Sequence, residues 1–165
     1  MKRINAIKDK HFLTLLNEVK KEILKVFGDK LVQLILYGSY ARSTQDPESD
    51  IDIMILADVS ETQLRGYREQ IVDIMTDLSL KYNTVISFSR ETYSRYRQYL
   101  DVLPFFQNIY QEGVEIYGKK GARRNLSYNC LRTIVNRLPS SRTNPLFFIF
   151  ISYILLYPHT TRFPF

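Results

Sequence analysis

Cysteine is almost missing from this chain. Cys130 is the single one in 165 residues, which excludes an internal disulfide and any cysteine-cluster zinc site. Histidine is nearly as scarce: His11 and His159 stand far apart and offer no histidine metal site. The N-terminus, MKRINAIKDKHFLTLL, is basic but has no long apolar stretch and no small-residue cleavage site, so no signal peptide is expected. With so little cysteine, the cytoplasm is the expected compartment. A further absence is local. None of the 17 Asp and Glu lies in residues 119–165, which hold 8 of the 23 Lys and Arg. The formal net charge of +6 therefore belongs to that tail, while residues 1–118 carry a balance of −2. The basic total is no argument that the main domain binds nucleic acid.

What is present fits a globular protein. The length suits one domain with a real core, and hydrophobic residues make up 45%. Residues 10–118 read as that domain. Residues 119–165 are a different material, basic and polar first, then the apolar run LFFIFISYILLY at 146–157. Twelve residues are too few for a transmembrane span, which needs roughly 20. Three readings of the tail stay open: a docking helix or strand that covers an apolar surface, a membrane-surface segment, or a non-native extension such as an out-of-frame C-terminus.

Within the domain, Phe12, Leu15, Leu16, Val19, Ile23, Val26 and Phe27 recur at helical spacing over 10–27, with Gly28 as the stop. Leu31 to Tyr37 reads as a buried strand. Gly38-Ser39 then turns into a short helical segment around Tyr40 to Arg42. Residues 43–49, STQDPES, form a polar loop, and Ile51 to Ala57 is a second strand. Ser60 and Gln63 have the form of a capping box, opening a helix with Leu64, Tyr67, Ile71, Ile74, Met75 and Leu78 on one face. Asn83 to Phe88 reads as a third strand and Glu91 to Leu100 as a helix, with Tyr93, Tyr96 and Leu100 inward. Pro104 begins a last segment with a turn at Gly113. The order of elements predicts an α/β or α+β fold, a short mixed sheet flanked by helices.

Two carboxylates interrupt the second strand. Residues two apart on a strand face the same way, so Asp50 and Asp52 project together while Ile51 and Ile53 pack behind. At about 6–7 Å in an effective dielectric near 20, the pair repels by roughly 2.5 kcal/mol. No Lys or His flanks it. A divalent cation between the two would relieve the repulsion, and hard oxygen ligands select Mg²⁺ or Mn²⁺. Taken alone, the pair fits a hydrated strand edge equally well. Upstream, Gly38 follows a buried strand where a residue without Cβ lets a phosphate approach the backbone. Ser39 stands at a helix start, where free N–H groups favour an anion. An ordinary strand-to-helix turn with a Ser N-cap is the bland alternative. Gly-Ser, ten residues, then Asp-x-Asp on the next strand is far more specific than either half.

Gly38-Ser39-Tyr40-Ala41-Arg42 followed by Ser49-Asp50-Ile51-Asp52 resembles the signature of the DNA polymerase β-type nucleotidyltransferases, most closely the minimal nucleotidyltransferase (MNT) branch. The resemblance covers about residues 10–118. It implies a polymerase β-like fold. It implies that Asp50 and Asp52 are catalytic and hold two Mg²⁺ ions. It places ATP on Gly38 and Ser39, with Arg42 supporting the turn or touching phosphate and Ser49 completing the nucleotide-binding set. Proteins of this branch are paired with a HEPN RNase toxin, and transfer AMP from ATP to a toxin tyrosine as antitoxins. One departure stands out. The superfamily carries a third carboxylate on the next strand, whereas this strand reads NTVISFS, with Ser87 at the expected place and Glu91 expected on the following helix. An inactive antitoxin that only binds its partner, and a transferase acting on a small molecule, are therefore the alternatives. Tyr93, Tyr96 and Tyr99 beside Arg90, Arg95 and Arg97 could suggest RNA stacking, but their spacing better fits a half-buried helix. His11 is expected at the surface.

Overall fold

Leu31–Tyr37 is buried at six of its seven positions, and Ile51–Ala57 likewise; two such strands can sit only in the middle of a sheet covered on both faces. The computed structural model describes residues 2–4, 7 and 9–120. The described residues all belong to one unit, Met1–Leu131. The readings of the tail, including the apolar run at 146–157, lie outside the described residues.

The elements are β1 (Lys2–Arg3), α1 (Lys10–Phe27), a 3-10 turn (Gly28–Lys30), β2 (Leu31–Tyr37), α2 (Gly38–Arg42), β3 (Ile51–Ala57), α3 (Glu61–Gly66), α4 (Arg68–Tyr82), β4 (Ile86–Thr92), α5 (Tyr93–Tyr99), α6 (Pro104–Glu112) and β5 (Val114–Gly118). The sheet runs β1-β5-β2-β3-β4. β2 is antiparallel to both β3 and β5, whereas β3–β4 and β1–β5 are parallel. The expected mixed sheet flanked by helices is what forms.

Alternation along the strands sorts side chains onto two faces. Leu34, Leu36, Ile51, Ile53, Ile55 and Ile86 pack with Leu16, Val19 and Ile23 of α1 and with Ile71 and Leu78 of α4. Ile35, Met54 and Leu56 face the other way and pack with Tyr96, Leu100, Phe106 and Ile109. Asp52 shares its parity with Met54, so it stands at the end of this second, α5–α6 face. Across the first face, Glu18 of α1 accepts hydrogen bonds from Lys81 Nζ at 2.6 Å and from the Tyr82 hydroxyl at 2.6 Å, fastening α1 to α4.

Several boundaries differ from expectation, each for a local reason. Asn83 does not begin a strand; it ends α4 in the left-handed conformation, φ 49°, as Asn often does at a helix C-cap. β4 therefore starts at Ile86 and runs to Thr92. Thr92 Oγ1 accepts the Arg95 N–H at 3.2 Å, which caps α5 and delays its start to Tyr93. Glu91, expected on the helix, is thus on the strand. The Ser60–Gln63 capping box forms as read, but its helix breaks after Gly66, where Tyr67 leaves helical geometry and packs its ring on Phe27 at 4.6 Å. β1 and β5 were not anticipated as strands. His11 is exposed, and α1 is capped instead by Asp9, whose carboxylate accepts the His11 and Phe12 N–H groups.

Candidate active site

The turn from β2 into α2 is made by one glycine. Gly38 has φ +72°, a conformation that costs other residues about 1–3 kcal/mol. Its position demands glycine a second time. A Cβ built there would lie 2.5 Å from Asp52 Oδ2 and 3.4 Å from Asp52 Cγ. The backbone of the turn and the carboxylate of β3 are therefore direct neighbours.

Strand register explains how they meet. Tyr37 is the antiparallel partner of Asp52, and Asp52 is the parallel partner of Ser87. Tyr37, Asp52 and Ser87 thus form one row across three strands, on the α5–α6 face. Asp50 lies just before β3 and is exposed, while Asp52 is half-buried. Burial raises the Asp52 carboxyl above the ordinary carboxylate range, the Asp50 charge raises it further, and the Arg42 guanidinium partly opposes both. The charge of Asp50 is thus felt at Asp52.

The other expected residues are distributed around this pair. Ser39 follows Gly38 in α2, a helix of five residues; what so short a helix offers an anion is the unpaired N–H groups of its first turn. Arg42 ends α2 and reaches Glu112 at the end of α6, Nη1 to Oε2 3.4 Å. Ser49 is turned into its own loop: its hydroxyl donates to Asp46 Oδ1 at 2.8 Å and accepts from the Asp46 N–H at 2.9 Å. Ser87 occupies the position beside Asp52 where a third acid was sought. Glu91 pairs in register with Leu56, four residues further along. Its carboxylate accepts the Thr92 N–H at 2.8 Å and bonds Arg95 at 3.1 Å, so it is committed away from the row. Tyr37 was not singled out by the sequence. Its hydroxyl bonds Ser89 Oγ at 2.8 Å, and burial first, then the nearby Asp52 charge, push it above the ordinary tyrosine value. Its place after an apolar strand reads as core, and only the register reveals it beside Asp52.

The donor set can be tested against a hard cation. Among the described residues no group of three or more His, Cys, Asp or Glu converges. Two carboxylates beside an open glycine turn nevertheless suit Mg²⁺, which commonly takes one or two carboxylates and completes its shell with water and substrate phosphates. Tyr93, Tyr96 and Tyr99 do not form a stacking row: Tyr96 is 1% exposed in the core, and Arg95 and Arg97 lie against the rings of Tyr99 and Tyr93. No described helix is long and apolar enough to cross a membrane.

Known proteins resemble parts of this chain. A Methanocaldococcus jannaschii protein named as a candidate protein adenylyltransferase is 41% identical over 75 residues, covering 46% of this chain and 74% of the relative. A second of the same name and organism is 33% identical over 91 residues, covering 55% of this chain and 83% of the relative. A looser structural likeness, TM-score 0.44 and 15% identity over 74% of this chain and 86% of the other, is to a complex of the tri-AMPylated Shewanella oneidensis HEPN toxin with an MNT antitoxin. The family profile of the nucleotidyltransferase domain matches residues 16–112, a span that contains the glycine turn, both acids and Ser87, and the chain belongs to that family.

Proposed function

We propose that this protein transfers AMP from ATP to a hydroxyl group of a partner protein, and that the acceptor is a tyrosine of a HEPN-type RNase toxin for which it serves as antitoxin. The observation that carries the transfer is the contact of the Gly38 turn with Asp52, with Asp50 alongside. The names of the M. jannaschii relatives support a protein acceptor. ATP as donor and the scarcity of cysteine support a cytoplasmic setting.

In this reading the Gly38 and Ser39 backbone binds the β- and γ-phosphates, and Arg42 leaves Glu112 for phosphate or steadies the turn. Ser49 shapes the loop that presents Asp50. Asp50 and Asp52 would hold Mg²⁺, two ions in the full arrangement, which would supply positive charge to offset that on the α-phosphate and the departing pyrophosphate. The acceptor oxygen forms a bond to the α-phosphorus, the bond from that phosphorus to the bridging oxygen breaks, and pyrophosphate leaves with the electron pair. The hydroxyl proton passes to solvent, because Ser87 in the row is no base and Glu91 is engaged elsewhere.

That same serine favours a second reading, an antitoxin that binds its partner without modifying it. Incubation of the co-purified complex with α-labelled ATP and Mg²⁺ separates the two. Transfer predicts label on the partner, abolished by Asp52→Asn. An unlabelled partner that stays bound to wild type supports binding alone.

A further inference from the structure

We propose that Phe105 is the stacking surface for the purine base of the donor nucleotide, with Tyr37 as the side chain that positions it. The proposal rests on the nucleotide site described above and adds the residue that would read the base, which no motif in the sequence marks. Phe105 is the second residue of α6 and is 48% exposed, whereas its neighbour Phe106 is buried at 5%. The open area of Phe105 leaves room for a stacking partner.

Its position says what that is. The Phe105 ring meets the Tyr37 ring edge to face, centroids 5.6 Å apart and planes at 86°. Tyr37 is the register partner of Asp52, and its hydroxyl is tied to Ser89 across β3. Of the exposed large apolar side chains, Phe105 is the one in ring contact with Tyr37 among the described residues. A base is joined through its ribose to the α-phosphate, so a nucleotide whose phosphates sit at Gly38 and Asp52 can reach only surfaces close to them. Phe105 is such a surface. Contacts with the rings of Tyr37 and of Phe106, 5.9 Å away, hold the ring in place before any ligand arrives, which lowers the entropy lost on binding. A larger purine gains more from the stack than a pyrimidine.

The test compares ATP with inorganic tripolyphosphate, each titrated in Mg²⁺ into the full chain by calorimetry. Phe105→Ala is expected to weaken ATP roughly ten-fold, on the scale of one base–aromatic stack, to narrow the preference for ATP over CTP, and to leave tripolyphosphate unchanged. Phe105→Trp is expected to keep ATP affinity. Unchanged ATP affinity in Phe105→Ala overturns the proposal. So does an equal loss for ATP and tripolyphosphate, which would place the effect on the phosphates rather than the base, and so does reduced labelling of the partner with ATP affinity intact, which would mark Phe105 as an acceptor contact. Wild-type protein that binds neither ligand would instead remove the underlying nucleotide site.

Discussion

Gly38 stands so close to Asp52 that one added methyl group would lie 2.5 Å from the Asp52 carboxylate. The strand that carries the acid and the turn that would carry the phosphates are therefore one structural unit. Substitution at either residue should be felt at both.

Gly38→Ala combines a strained φ of +72° with a collision against Asp52. It is expected to cost about 1–3 kcal/mol of stability and to abolish detectable transfer. Urea unfolding and ATP binding measure the two parts. Retained binding with only a stability loss would show that the turn does not seat the phosphates.

Asp52→Asn should separate stability from activity. The folded state raises the Asp52 carboxyl above its unfolded value, so ionised Asp52 opposes folding. The penalty is absent at low pH, grows as pH rises through the carboxylate range, and is complete above the folded value. Without metal at neutral pH, Asp52→Asn is therefore expected to melt higher than wild type, with the gap closing in acid. Adding Mg²⁺ and ATP should raise the wild type alone. Transfer should fall by more than about 100-fold, since even supporting residues of metal ligands commonly account for 10–100-fold.

Ser87→Asp puts an acid beside Asp52 in the register the strands already provide. If the missing base limits the reaction, transfer should rise, up to the roughly 10²–10⁴-fold that general-base help contributes. The metal-free protein should lose stability because a third like charge joins the row. A variant that folds, binds ATP and gains no rate would mean that proton removal is not limiting.

Much of this was legible in the residue pattern. Near-continuous apolar runs marked β2 and β3 as buried strands, and the spacing from Gly38-Ser39 to Asp50 and Asp52 pointed to the candidate site. What was not legible depended on pairing. Glu91 reads as helical by composition, and only the Thr92 cap and the left-handed Asn83 shift β4 toward it. Tyr37 reads as the last apolar residue of a strand, and its role appears once Asp52 is its partner. β1 and β5 are two and five residues long, too short for periodicity to mark them; β5 forms on the edge of β2, and β1 on the edge of β5.

Tyr96 tests the second core. Its hydroxyl is buried with no hydrogen-bond partner among the described residues, and burial drives it far above the usual tyrosine range. Tyr96→Phe removes an unsatisfied polar group and is expected to stabilise by about 1 kcal/mol, read from the urea midpoint. A loss of similar size would mean that the hydroxyl has a partner in solution.

The most direct measurement is an anomalous difference map of crystals grown with Mn²⁺ and a non-hydrolysable ATP analogue. The account predicts a manganese peak between the Asp50 and Asp52 carboxylates, with the analogue's phosphates on the Gly38–Ser39 backbone. Manganese elsewhere, or phosphates remote from that turn, would contradict it.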